Sequence, residues 1–108
     1  MASRIENPTD GSGGAESPRA AAEAAIEICR RGDWSRGLTI LADLVKERGL
    51  SEHIPGVAYS FLGYGIARYQ KQVKEGLRLC QHAVKSSFYS PECHLNLARV
   101  QILAKNRK

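Results

Sequence analysis

From position 17 onward, apolar side chains recur every three or four residues, the spacing of helices with one buried stripe. Ser17-Pro18 supplies an N-cap followed by a proline at the first helical position. The alanine-rich run after it, ending in Ile26 and Ile28, predicts a first helix from Pro18 to about Arg31. Gly32 ends that helix and Asp33 caps the next, where Leu38, Leu41, Leu44 and Val45 share one stripe over about 34–48 before Gly49. A third helix is predicted from Pro55 to about Gln70, with Tyr59, Phe61, Leu62, Ile66 and Tyr69. A fourth runs from Val73 to Lys85, with Leu77, Leu79, Cys80, Ala83 and Val84. Ser90-Pro91 repeats the cap-plus-proline signal and opens a fifth helix, which carries Leu95, Leu97, Val100, Ile102 and Leu103 as far as Asn106. Nothing alternates with period two for long enough to make a strand, and the connections are short. The expected class is therefore all-α, five helices with successive ones antiparallel.

Residues 1–17 break this pattern. They hold Asn7-Pro8 and the run Asp10-Gly11-Ser12-Gly13-Gly14, with Met1 and Ile5 as the only bulky apolar groups. Too little apolar surface is available to offset the entropy of ordering, so a disordered tail is expected, followed by one domain over 18–108. The whole chain has 108 residues, the size of a single small domain. Its longest uncharged stretch, from His53 to Ala67, is too short and too rich in polar residues, Gly and Pro for a membrane span. Three cysteines, an odd number, behind an N-terminus without a basic-then-apolar leader predict reduced thiols and a cytoplasmic location. Charge is uneven: residues 56–108 hold nine basic and two acidic side chains, a net of +7, whereas 18–55 are balanced. That half favours an acidic partner surface or a polyanion.

The chain also repeats itself. Gly37-Leu38 through Val45-Lys46 superposes on Gly76-Leu77 through Val84-Lys85 at a shift of 39, with glycine, leucine, valine and lysine coinciding. The first, third and fifth helices align through Ala25, Gly63 and Ala98. A glycine inside a helix costs about 1 kcal/mol relative to alanine. Gly37, Gly63, Gly65 and Gly76 therefore need a compensating reason, and close backbone approach between paired helices supplies one, with Gly63 expected to meet Gly76.

With these residues in place the sequence resembles the tetratricopeptide repeat family over about two and a half repeats. The middle unit carries Tyr59-x-x-Leu62-Gly63-x-x-Ile66, then Gly76, Cys80 and Ala83; the first carries Gly32-Asp33-Trp34, Gly37 and Leu41; the third carries His94, Leu97 and Ala98. It departs from the family at Gln70-Lys71-Gln72, which replaces a glycine turn, in a longer link around His53, and at Phe88-Tyr89-Ser90-Pro91. The resemblance implies a right-handed superhelical array of antiparallel helix pairs, an α-solenoid, whose odd-numbered helices line a concave groove. By position it places Ala22, Ile26, Arg30, Ser60, Tyr64, Arg68, Leu95 and Arg99 in that groove. Arg30, Ser60, Tyr64, Arg68, Leu95 and Arg99 are the expected partner-binding set, since tyrosine and arginine often carry interface energy. Of the family's carboxylate clamp only Asn96 falls at a matching slot, so that ligand is not expected. Trp34 is expected to pack at the turn between the first two helices.

Other chemistry is thin. Cys80-x-His82 and Cys93-His94 put neighbouring residues on different helix faces, unlike the C-x2-C and H-x3-H spacings of zinc sites, and no cofactor or metal is expected. No nucleophile, base and orienter form a recognisable motif, and Gly11-Ser12-Gly13-Gly14 lacks the lysine of a phosphate loop. The expected function is a non-enzymatic interaction module or scaffold. It binds a protein or peptide in the groove, or self-associates as a homodimer through Leu97 and Val100 of an open fifth helix. The alternatives are a piece of a longer repeat array, or a polyanion binder using the basic half. Against nucleic acid, no aromatic residues interleave with the basic ones in a stacking motif.

Overall fold

A computed structural model describes residues 17–49 and 53–106. The tail expected over 1–17 lies outside the described residues except for Ser17. The described chain forms five helices and no strand: α1 Pro18–Arg30, α2 Trp34–Arg48, α3 Gly56–Tyr69, α4 Val73–Ser86 and α5 Pro91–Lys105.

Local chemistry sets the ends of α1 and α2, whereas Ser90, expected to cap α5, makes no side-chain cap bond. Ser17 Oγ accepts the Ala20 N–H at 3.1 Å and Asp33 accepts the Arg36 N–H at 3.4 Å, each satisfying a donor that the first turn leaves free. Gly32 closes α1 with φ +96° and Gly49 closes α2 with φ +65°, both left-handed. Between α3 and α4 the corresponding place is filled by Lys71, with φ +60°. A side chain on a left-handed backbone is strained, which is the physical content of the missing turn glycine. Lys71→Gly should accordingly raise stability by about 0.5–1 kcal/mol, seen as a higher urea midpoint at unchanged m-value.

The helices pack around α3. Eleven of its fourteen residues are buried, an apolar-all-round pattern that fits a helix surrounded by others, and α1, α2, α4 and α5 all pack against it. Tyr59, fully buried, donates its hydroxyl to the Gly49 carbonyl at 2.9 Å and ties α3 to the end of α2. The α3–α4 contact is backbone on backbone. A Cβ placed on Gly63 would lie 2.6 Å from the Gly76 carbonyl oxygen and 2.8 Å from Cys80 Sγ, and a Cβ on Gly76 would strike the Gly63 carbonyl in return. The first hairpin repeats the arrangement, with Gly37 against Cys29 and the Ala25 carbonyl. These contacts compensate the helix-breaking glycines.

The sides of α5 differ from expectation. Cys93, Asn96 and Val100 are buried, Leu97 and Leu103 are half-buried against the core, and Leu95 and Ile102 are exposed. Leu97 and Val100 were the residues expected on an open, self-associating face. Val100, 0% exposed, instead belongs to the inner cluster with Tyr64, Ala67, Val73 and Cys80, because the stripe spaced 93, 96, 97, 100 turns toward α3 and α4.

Candidate functional site

The beginning of α2 and the middle and end of α3 bring four aromatic rings together. Trp34 stacks on Phe61 at 5.9 Å between centroids, meets Tyr64 edge-on at 5.4 Å, and lies 5.9 Å from Tyr69. The tryptophan expected at the α1–α2 turn thus starts there and reaches across to α3. Phe61 and Tyr64, three apart, share one side of α3, so a single indole can touch both.

Three arginines surround these rings, each from a different helix. Arg30 from α1 sits 5.6 Å from the Phe61 centroid, Arg99 from α5 sits 5.2 Å from that of Tyr64, and Arg68 from α3 sits 5.3 Å from that of Tyr69. Arg68 Nη1 also donates to the Tyr64 hydroxyl at 2.7 Å. Arg30 is already neutralised: it bonds both carboxylate oxygens of Glu92 on α5 and also Glu27, and the Glu92 hydrogen bond pushes its pKa further up. Arg68 and Arg99 differ. Arg99 Nη1 donates to Asn96 Oδ1 at 3.3 Å, and among the described residues neither guanidinium has a carboxylate within ion-pair distance. Both are exposed: Arg99 lies over the Tyr64 ring, while Arg68 lies over Tyr69 and bonds the Tyr64 hydroxyl. Beside the rings a cleft of about 680 Å³ opens between Trp34, Leu38, Ala42 and Tyr69, with Asp33 and Asp43 also in its lining, large enough for a side chain of a ligand.

The expected binding residues therefore divide. Arg30, Tyr64, Arg68 and Arg99 come together around the rings, and Leu95 lies exposed farther along α5. Tyr64 is largely covered and acts as a platform for the arginines. Ser60 is fully buried: its hydroxyl donates to the Val57 carbonyl at 2.7 Å and accepts from Asn96 Nδ2 at 3.1 Å, a polar pin between α3 and α5. Ser60 and Asn96 are thus removed from a ligand. The Arg30–Glu92 pair joins residues 62 apart and carried no local sequence signal, whereas Trp34, Phe61 and Tyr64 were each visible without their meeting being so.

Other chemical groups are occupied by packing. Cys29, Cys80 and Cys93 are free and buried, and burial pushes the Cys29 thiol up to about 11 and that of Cys80 up to about 12, the reverse of a reactive cysteine. Among the described residues no group of three or more His, Cys, Asp or Glu is placed to hold a metal ion. A second cleft, of about 820 Å³, lies between α1, the 54–57 link and the end of α4. Its His82 rests edge-on against Tyr59 at 4.9 Å, with its pKa lowered mainly by burial. Ser86 Oγ sits 3.3 Å from the His82 ring nitrogen and donates to the His82 carbonyl, with no carboxylate bonded to that ring among the described residues. No helix among the described residues is long and apolar enough to cross a membrane. Compared with known proteins, the chain is matched by no family model, no curated protein and no solved structure.

Proposed function

We propose that this chain is a non-enzymatic protein-interaction module of tetratricopeptide-like architecture, working in the cytoplasm, that holds an acidic peptide segment across α1, α3 and α5. The observation that carries the reading is the pair Arg68 and Arg99, oriented on Tyr64 from two helices without a carboxylate of their own. An exposed guanidinium held by a ring and a hydrogen bond loses less conformational freedom on binding than a free one, so it can take a carboxylate at lower entropic cost. The cleft by Trp34 and Tyr69, which Asp33 and Asp43 also line, then suits an uncharged apolar residue of the same peptide and repels its carboxylates. The internal glycine repeat supports the array, since α1 and α3 receive α2 and α4 through matching small-residue contacts.

Polyanion binding is less well supported. The cations of the second half sit on different helices: Arg68 bonds the Tyr64 hydroxyl and Arg99 lies over the Tyr64 ring, whereas Lys74 and Lys85 lie exposed on α4, and Arg78 is bonded to Glu75 at 3.0 Å. That bond holds the Glu75 carboxyl below its ordinary range, the mark of a charge already matched.

A direct test measures fluorescence anisotropy with three labelled probes: a peptide alternating glutamate and leucine, its glutamine counterpart, and a single-stranded oligonucleotide. The acidic peptide should bind best, and Arg68→Gln combined with Arg99→Gln should weaken it by about tenfold or more while leaving the fold intact. Tighter binding of the oligonucleotide, unaffected by the double substitution and steeply lost with salt, would shift the function to the polyanion reading.

A further inference from the structure

A second surface adjoins the ring cluster at Arg99. The contact that seats α4 on α3 uses Gly63 and Ala67, which meet Gly76 and Cys80. The contact that seats α2 on α1 uses Ala25 and Cys29, which meet Gly37. Carried by the same sequence alignment onto α5, these positions become Ala98 and Ile102. In α1 and α3 the positions are buried; in α5 both are exposed, Ile102 at 58%. Leu95, 49% exposed, continues the stripe one turn earlier, because residues 95, 98 and 102 fall on one helix face. Twice, then, the chain answers this surface with an amphipathic helix bearing a glycine at the crossing, and the third instance has no helix on it among the described residues.

We infer that the stripe Leu95, Ala98 and Ile102 docks an amphipathic helix of a partner protein, with a glycine at the crossing point and acidic residues along its edge. The glycine follows from size: Ile102 is larger than Cys29 or Ala67 at the same place, so the incoming backbone has to supply the room. The acidic edge follows from charge. Arg99 and Lys105 border the stripe, both exposed and neither paired with a carboxylate among the described residues, while Glu92 is taken up by Arg30. A second copy of this chain is the poorer occupant. Pairing two α5 helices about Ala98 would set Arg99 beside its own counterpart near the axis, and α5 has no glycine to offer.

The probe is a labelled synthetic peptide with the sequence of residues 33–49, the helix that already seats on α1, carrying Arg36→Glu and Lys46→Glu to make its edge acidic. Anisotropy titration into the full chain should give saturable binding. Gly37→Leu in the peptide should weaken it by about tenfold or more, and so should Ile102→Glu in the protein. Circular dichroism should show Ile102→Glu folded, since that side chain faces solvent. Arg68→Gln should leave this binding unchanged, which separates the α5 surface from the ring cluster. Absence of saturable binding, or binding indifferent to Ile102→Glu or to Gly37→Leu, would overturn the assignment. So would sedimentation equilibrium showing a wild-type dimer that Ile102→Glu converts to monomer, because a second copy would then be the occupant.

Discussion

Gly76→Val should cost about 4 kcal/mol, a large share of the stability of a domain this size, and leave much of the chain unfolded at modest urea. Backbone sits on both sides of the position: a Cβ at Gly76 strikes the Gly63 carbonyl oxygen and comes within 2.8 Å of the Ala67 Cβ, and neither can rotate away. Valine adds two further methyl groups and so forces α3 and α4 apart along their whole seam. Alanine gains about 1 kcal/mol in helix propensity and should still lose about 2 kcal/mol net. Ala98 on α5, the counterpart of Gly63 that Gly76 meets, provides the control. Ala98→Val adds methyls at an exposed place and should cost under about 1 kcal/mol. Urea denaturation followed by circular dichroism separates the two, and equal stabilities would mean that α3 and α4 are not in backbone contact.

Val100→Asp should be comparably severe, at about 4 kcal/mol or more. The side chain is completely buried among Tyr64, Ala67, Val73 and Cys80, and no cation is among those neighbours to match a carboxylate. The carboxylate either stays charged in an apolar cluster or takes up a proton, so the loss should ease as pH falls toward 4. The sign follows from linkage: burial raises the carboxyl pKa in the folded state, so the folded state holds its proton at a higher pH than the unfolded one. Had Val100 lain on a dimer face, the same change would have produced a stable, soluble monomer. Melting curves at pH 7 and pH 4 decide between those outcomes.

Much of the helix pattern could be read from local signals because the determinants lie within a few residues of one another. Ser17, Asp33 and the glycines at 32 and 49 act on adjacent backbone, and the helix ends fall within about a residue of where those signals place them. The Gly63–Gly76 contact was legible as well, since two helix-breaking residues on the facing helices of one hairpin call for a common compensation. The lie of α5 was not. Its apolar residues cover more than one side, so the period alone does not select 93, 96, 97 and 100 over 95, 98 and 102. Ser60 looked like a groove residue from its spacing with Tyr64 and Arg68, yet α5 covers it through Asn96, a partner 36 residues away.

What the sequence determined by itself is therefore the set of five helices, the Ser17 and Asp33 caps and the small-residue seams, fixed by short-range sterics and by the cost of unsatisfied backbone groups. Only the tertiary structure decided which charges are spent and which are left. Arg30 is consumed by Glu92 across 62 residues, whereas Arg68 and Arg99 meet Tyr64 without a carboxylate partner, and Leu95 and Ile102 face outward while Val100 turns in. Those outcomes depend on how far helices distant in the chain approach one another, a quantity set by the packing of the whole core around α3 rather than by any local run of residues.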